Sequence, residues 1–291
     1  MRYRPFNMTG LSASALTLLL DDAAMRSGER AKLVNAALEA GINSFELGQL
    51  NPEVALAIAV AIKTLGRRVL VVSLRLARDG ADGQEGFTPQ GVRSQIAKAL
   101  THTQAHYLDA VLLDDPAADE VSGAALAALA AAKSAGQVRQ MGLSGATTAT
   151  DGYLKTGKFD LLATSFGIKS GWIERNRIKM AQDLGMIVTG YDFEIEAAPE
   201  RIAALRPKGL AGLFFKPDPA VVHAYDFLRE TRGWTAQELA LAFALTEPAL
   251  ASVRIESTSI NHLQGLAAAV ERELPSGVAA QIEMARFTAA A

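Results

Sequence analysis

Residues 40–47, with the sequence AGINSFEL, contain the unit that the whole chain repeats. Apolar residues at helical spacing run up to Ala40, and Gly41 ends that pattern, because glycine adopts the left-handed conformation at a helix C-terminus without a Cβ clash. Ile42 and Phe45 then indicate a short strand that is buried on both faces. Glu46 comes where this strand ends. The stretch therefore predicts a helix, a tight connection and a buried strand that ends in a carboxylate.

The same alternation of strand and helix recurs eight times along the chain, which is typical of a parallel sheet with crossover helices. In 291 residues, eight such units favour a closed barrel over an open sheet. A turn at residues 7–10 indicates an N-terminal hairpin, and helices at 261–271 and 278–287 follow the last strand. The sequence predicts a (β/α)8 TIM barrel with an N-terminal β-hairpin and accessory C-terminal helices, as one domain over residues 1–291. The predicted strands are 16–20, 42–46, 69–76, 110–113, 138–143, 161–164, 186–191 and 251–255.

The composition excludes several classes of function. The chain has no cysteine, so disulfides, thiolate zinc sites and cysteine nucleophiles are absent, and its four histidines do not group as metal ligands. Its net charge is −2 with lysine and arginine spread evenly, so we expect no nucleic-acid partner. No membrane-spanning or signal segment is evident, so we expect a cytoplasmic protein. A small-molecule ligand remains possible, and the oligomeric state is not determined.

Five segments, in order along the chain, carry a resemblance to one known family. They are YRPF with TGLSAS (residues 3–6 and 9–14), ALEAGINSFE (37–46), YLD (107–109), LLDDP (112–116) and GQVRQMGLS (136–144). Together they resemble the aldo-keto reductase family. The resemblance implies a (β/α)8 barrel that holds NADPH and a carbonyl substrate at the C-terminal face.

The resemblance also implies a catalytic tetrad of Asp, Tyr, Lys and His, and this sequence differs at every one of those positions. Glu46 stands in the place of the Asp, and Asn51 in the place of the Tyr. Arg75 replaces the Lys, and Asp114 replaces the His. No tyrosine occurs between Glu46 and Tyr107 that could supply the missing phenol.

These replacements remove the proton donor that carbonyl reduction requires. In the family the tyrosine protonates the developing alkoxide, and Asn51 cannot do so at any useful pH. Arg75 keeps the positive charge of lysine but is not an acid, and ionised Asp114 only accepts hydrogen bonds. Loss of one general acid lowers a rate by about 10²–10⁴-fold. The sequence therefore predicts that carbonyl reduction is lost.

The cofactor side is also altered. Ser144 and Tyr191 remain as the cofactor-binding residues that the resemblance implies, Tyr191 as the ring on which nicotinamide would stack. Ala163 and Gly167 stand where the family has Gln and Asn to hold the carboxamide. After the last strand, no lysine or arginine occurs before Arg272 to hold a 2′-phosphate.

Acidic residues follow the predicted strand ends, and Arg75 is the only base that the sequence assigns to the same face. A dinucleotide phosphate needs the opposite field, so we expect NADPH to bind weakly or not at all. The acidic residues are Asp21, Asp22, Glu46, Asp114, Asp115, Asp192, Glu194 and Glu256.

Several interpretations of Glu46, Arg75 and Asp114 remain open. They form a buried ion-pair network, or a carboxylate of raised pKa acts as acid or base in a non-redox reaction, or the group binds a cationic or amine ligand. A rearranged but active NAD(P)H-dependent oxidoreductase is the remaining alternative. The leading hypothesis is a family member that has lost its reductase site and acts as a binding or regulatory protein.

Overall fold

The computed structural model describes residues 1–6, 10–21, 28–48, 52–78, 86–194 and 225–289, with side chains up to residue 286. Eight parallel strands close into a barrel, each paired with its neighbour along the chain and the last with the first. A two-stranded antiparallel hairpin precedes them. The strands are β1 (Tyr3–Pro5), β2 (Ser12–Ser14), β3 (Leu16–Leu20), β4 (Ser44–Leu47), β5 (Val71–Leu76), β6 (Leu108–Asp114), β7 (Val138–Ser144), β8 (Leu161–Ser165), β9 (Ile187–Tyr191) and β10 (Leu250–Ile255).

Helices surround the barrel and connect its strands. The predicted barrel and hairpin are confirmed. A short helix between the fifth and sixth barrel strands was not predicted. The helices are α1 (Glu29–Glu39), α2 (Pro52–Leu65), α3 (Pro89–Thr103), α4 (Gly123–Ser134), α5 (Thr148–Leu154), α6 (Trp172–Asp183), α7 (Phe227–Glu230), α8 (Ala236–Ala244), α9 (Ile260–Ala269) and α10 (Val278–Ala289), with a 3-10 turn at Arg67–Val69.

The stretch at residues 40–47 folds as predicted. Gly41 has a φ of +83°, the left-handed conformation in which other residues are strained. Along β4, Phe45 and Leu47 belong to the apolar layer between strands and helices. The alternate residues Ser44 and Glu46 face the interior of the barrel, because successive side chains of a strand point to opposite sides. The carboxylate of Glu46 therefore lies inside the barrel at its C-terminal end.

The barrel interior is filled below this level. Phe6, which follows the first strand of the hairpin, packs with Leu112 and Leu161 in the interior apolar cluster. Above it, the hydroxyl of Thr17 lies 2.8 Å from that of Ser44. The cavity left among these side chains has a volume of about 10 Å³, room for about one water molecule. This interior cavity therefore has no room for a ligand larger than water.

Candidate functional site

Glu46 is the centre of the ion cluster at the barrel mouth. Its side chain is only 6% exposed. Oε1 accepts a hydrogen bond from Nη1 of Arg254 at 3.0 Å, and Nε of Arg75 lies 3.7 Å from the same oxygen. One buried carboxylate thus lies between two guanidinium groups, each of which is itself mostly buried.

Arg75 links Glu46 to two further carboxylates. Its Nη2 donates to Oδ2 of Asp21 at 3.0 Å, and its Nη1 lies 3.5 Å from Oδ2 of Asp114. The residues that the sequence placed at three tetrad positions, Glu46, Arg75 and Asp114, are therefore brought into one cluster. Asn51, at the fourth position, lies outside the residues that the structure describes.

The prediction that Arg75 is the only base on this face is wrong, because Arg254 of β10 also points into the barrel. Val253 and Ile255 belong to the apolar layer under the helices, so the residue between them faces inward. Burial acts to lower the pKa of Arg254, but the charge of Glu46 and its hydrogen bond outweigh burial and raise that pKa. Arg254 therefore stays charged. Its positive charge offsets more of the negative charge of the acidic residues at the mouth than the sequence indicated.

Arg254 also lies against Tyr191, the ring that the sequence assigned to nicotinamide. Its guanidinium carbon is 4.3 Å from the centroid of the ring, in cation–π geometry. Burial raises the pKa of the Tyr191 hydroxyl to about 12, although the charge of Arg254 acts in the opposite direction. The ring is therefore part of the ion cluster, and its hydroxyl stays protonated at neutral pH.

The raised pKa of Tyr191 predicts a stability difference at alkaline pH. In the unfolded chain the phenol ionises near pH 10, whereas in the folded protein it does so near 12, so stability falls as the pH rises between these values. At a pH of about 11 we expect wild type to lose about 1–1.5 kcal/mol that Tyr191→Phe does not lose. Denaturant unfolding of both proteins at about pH 9 and 11 measures the difference, and equal losses would contradict the assignment.

Two other positions that the resemblance assigns to cofactor binding, Ser144 and Gly167, are also unsuited to it. Ser144 ends β7 and is 2% exposed, with its carbonyl oxygen bonded to the N–H of Asp115 at 2.7 Å. A Cβ atom added at Gly167 would lie 2.7 Å from Cα of Phe193, closer than real Cβ atoms approach backbone. The asparagine that the family resemblance places at Gly167 therefore cannot fit without a shift of the Phe193 backbone.

A larger cavity, of about 260 Å³, lies beside the ion cluster between the ends of β3, β9 and β10. Its floor is apolar, with Leu20 and Leu33 among the lining residues. Its wall carries three carboxylates and one cation, namely Asp21, Glu194, Glu256 and Arg30. Anionic groups are repelled by such a wall, and uncharged groups fit its floor. Sequence reasoning missed this cavity, because its walls come from strands and helices that are distant along the chain.

Within the described residues, neither a metal site nor a membrane-spanning helix is found. No three His, Asp or Glu side chains of that part of the chain come close enough to hold a metal ion. None of its helices has the length and apolar character that crossing a membrane requires.

Comparison with known proteins gives the family and the fold. The model of the aldo/keto reductase family matches residues 17–194, more than half of the chain. The chain is similar in structure to the holo form of aldo-keto reductase AKR11C1 from Bacillus halodurans, with a TM-score of 0.75, 18% identity, and coverage of 98% of this chain and 96% of that one. It is also similar to the thermostable aldo-keto reductase Tm1743, solved in complex with the inhibitor epalrestat, with a TM-score of 0.73, 16% identity, and coverage of 98% and 100%. No curated protein matches the sequence significantly.

Proposed function

Because the chain belongs to the aldo/keto reductase family, we propose that it is a member that has lost NADPH-dependent carbonyl reduction and acts as a binding or regulatory protein for a small molecule. The observation that carries this proposal is the position of Arg254. Its guanidinium group is bonded to Glu46 and stacked on Tyr191 at the same time. A nicotinamide ring could take that face of Tyr191 only by displacing a guanidinium group that Glu46 holds in a buried ion pair.

The tetrad positions support the same proposal. Reduction by hydride transfer needs an acid beside the carbonyl oxygen. Arg75 is held by Asp21, Glu46 and Asp114, and a guanidinium group gives up no proton at physiological pH. Both carboxylates that replace tetrad residues, Glu46 and Asp114, form ion pairs with this arginine. The cluster therefore has the composition of an ion-pair network rather than of a proton relay.

The groups around the cofactor position also do not fit a dinucleotide. Gly167 has no room for a carboxamide side chain, and Glu194 and Glu256 stand at the ends of strands where phosphate would need cations or bare N–H groups. The ligand we propose is therefore a small molecule without phosphate. The cytoplasmic location expected from the sequence remains a prediction.

Fluorescence titration with NADPH tests the proposal. We expect no saturable change at micromolar cofactor, and no decrease in NADPH absorbance when a simple aldehyde is added to the protein. A micromolar dissociation constant together with steady NADPH consumption would overturn the proposal in favour of an active reductase with rearranged groups.

A further inference from the structure

A chain of hydrogen bonds runs along the wall of the 260 Å³ cavity and connects a serine to a carboxylate through a histidine. Oγ of Ser257 lies 2.9 Å from Nδ1 of His262. Nε2 of His262 lies 2.7 Å from Oε1 of Gln237, and the amide nitrogen of Gln237 donates to Glu194. Four side chains are thus connected in the order serine, histidine, glutamine and glutamate.

The order of donors along this chain fixes the tautomer of His262. An ionised carboxylate only accepts, so Gln237 turns its NH2 group to Glu194 and its oxygen to the imidazole. The oxygen of Gln237 must receive a proton, and Nε2 of His262 therefore carries one. In the neutral ring, Nδ1 then keeps its lone pair and is directed at the hydroxyl of Ser257.

The Ser257 hydroxyl has one competing acceptor. Its Oγ donates to the carbonyl oxygen of Ser259 at 2.8 Å and accepts from the N–H of Ser259 at 3.2 Å. Because the hydroxyl has a single proton, it must turn from this carbonyl oxygen to Nδ1 of His262 before Ser257 can attack. These local bonds hold Oγ in place beside the imidazole. Only Nδ1 of His262 is basic enough to take the proton when Ser257 becomes a nucleophile, since a carbonyl oxygen remains unprotonated at neutral pH.

Two of the four members of this chain of bonds lie on helices. Gln237 lies in the first turn of α8, and His262 lies in the first turn of α9. Ser257 follows β10 by two residues, just before Ser259, the N-cap of α9. Negative charge that develops on an acyl oxygen beside Ser257 would thus lie near the positive end of a ten-residue helix.

We propose that Ser257, with His262 as its base and Gln237 and Glu194 as positioning residues, hydrolyses small neutral carboxylic esters bound in this cavity. The apolar floor of Leu20 and Leu33 suits a short acyl chain. The carboxylates on the wall disfavour an anionic substrate. This activity goes beyond the proposed loss of carbonyl reduction and rests on it, because Glu194 and Glu256 of the same cavity stand where a cofactor phosphate would otherwise bind.

The reaction balances without any cofactor. Oγ of Ser257 attacks the acyl carbon and gives its proton to Nδ1 of His262. The bond from the acyl carbon to the alcohol oxygen then breaks, and Nδ1 returns the proton to the departing alkoxide. Water attacks the acyl-serine in the same way, releasing the carboxylic acid and restoring Ser257.

Hydrolysis of p-nitrophenyl butyrate by the full-length protein tests the proposal, together with labelling by an alkyl fluorophosphonate. We expect tandem mass spectrometry to place the phosphonyl group on Ser257. Ser257→Ala should lower hydrolysis to the rate in buffer, and His262→Gln should lower it by about 10²-fold or more. Thr64→Ala, which removes an exposed hydroxyl on α2 that does not line the cavity, serves as the control and should hydrolyse the ester like wild type.

Each other outcome overturns the proposal. Equal hydrolysis by wild type and a folded Ser257→Ala variant would assign the activity elsewhere, as would a phosphonyl group on Ser259 or any other residue. If thermal melting shows that Ser257→Ala does not fold, the labelling of wild type decides, and unlabelled Ser257 means that the serine is not a nucleophile. NADPH titration of the same samples reports separately on the loss of the reductase site.

Discussion

The variant Glu46→Gln is expected to lower the free energy of unfolding by about 3–5 kcal/mol. The substitution keeps the size of the side chain but removes the charge that lies between two guanidinium groups. Arg254 and Arg75 are 11% and 17% exposed, so neither is well hydrated once its carboxylate is gone. Arg75 retains Asp21 and Asp114, whereas Glu46 is the only carboxylate recorded within 4 Å of Arg254 among the described residues. Most of the loss should therefore come from Arg254.

Urea unfolding followed by circular dichroism measures this loss. The matched control is Asp183→Asn, which removes the carboxylate of an exposed pair on α6 whose side chains are 69% and 64% accessible. We expect that change to cost less than about 1 kcal/mol. If Glu46→Gln costs no more than the control, water reaches Arg254 and the cluster is a hydrated surface group, which would reopen the mouth of the barrel to a cofactor.

The fold could be predicted from the sequence because its signals are local. Most barrel strands are short apolar runs, and most of the helices between them have an apolar periodicity of their own. Gly41 shows this clearly, since its left-handed conformation follows from the end of a helix within the same ten residues. Helix α5 is an exception, because its seven residues, TATDGYL, contain two threonines and a glycine and give no helical pattern.

The site could be predicted only in part, because its contacts join distant segments. Glu46, Arg75 and Asp114 were placed together by the rule that parallel strands end on one face of a barrel. Arg254 was not predicted, and its contact with Glu46 depends on the closure of β10 on β3, which pairs Arg254 with Thr17. The bond from His262 to Gln237 likewise joins two helices. Neither contact has a signal in the local sequence.

The second large effect is expected at the opposite end of the barrel, where Asp109 of β6 is fully buried. It accepts hydrogen bonds from Nη2 of Arg67 at 2.6 Å, from the N–H of Val72 at 2.9 Å and from Nη1 of Arg139 at 3.2 Å. Both guanidinium groups also stack on Tyr107, at 4.0 and 3.6 Å from its centroid. Asp109 therefore neutralises a pair of cations that hold the lower ends of three neighbouring strands.

We expect Asp109→Asn to lower the free energy of unfolding by about 3–5 kcal/mol, because Arg67, with a side chain 8% exposed, would keep its charge without a carboxylate to neutralise it. The amide NH2 group, which replaces one carboxylate oxygen, would also face N–H donors from which that oxygen accepted hydrogen bonds. Arg139→Gln is the matched control. Its guanidinium is 37% exposed, so we expect its removal to cost about 1 kcal/mol, from one partly hydrated ion pair and one cation–π contact.

We expect the two ends of the barrel to respond independently to substitution. Asp109→Asn lies far from the mouth, so urea unfolding should change while ester hydrolysis and NADPH titration of the folded variant stay as in wild type. A cost for Asp109→Asn no larger than that for Arg139→Gln would contradict the assignment of Arg67 as a buried charge. A change in ester hydrolysis in the folded variant would mean that the two ends are coupled through the barrel, because no residue of this lower cluster lines the cavity that contains Ser257.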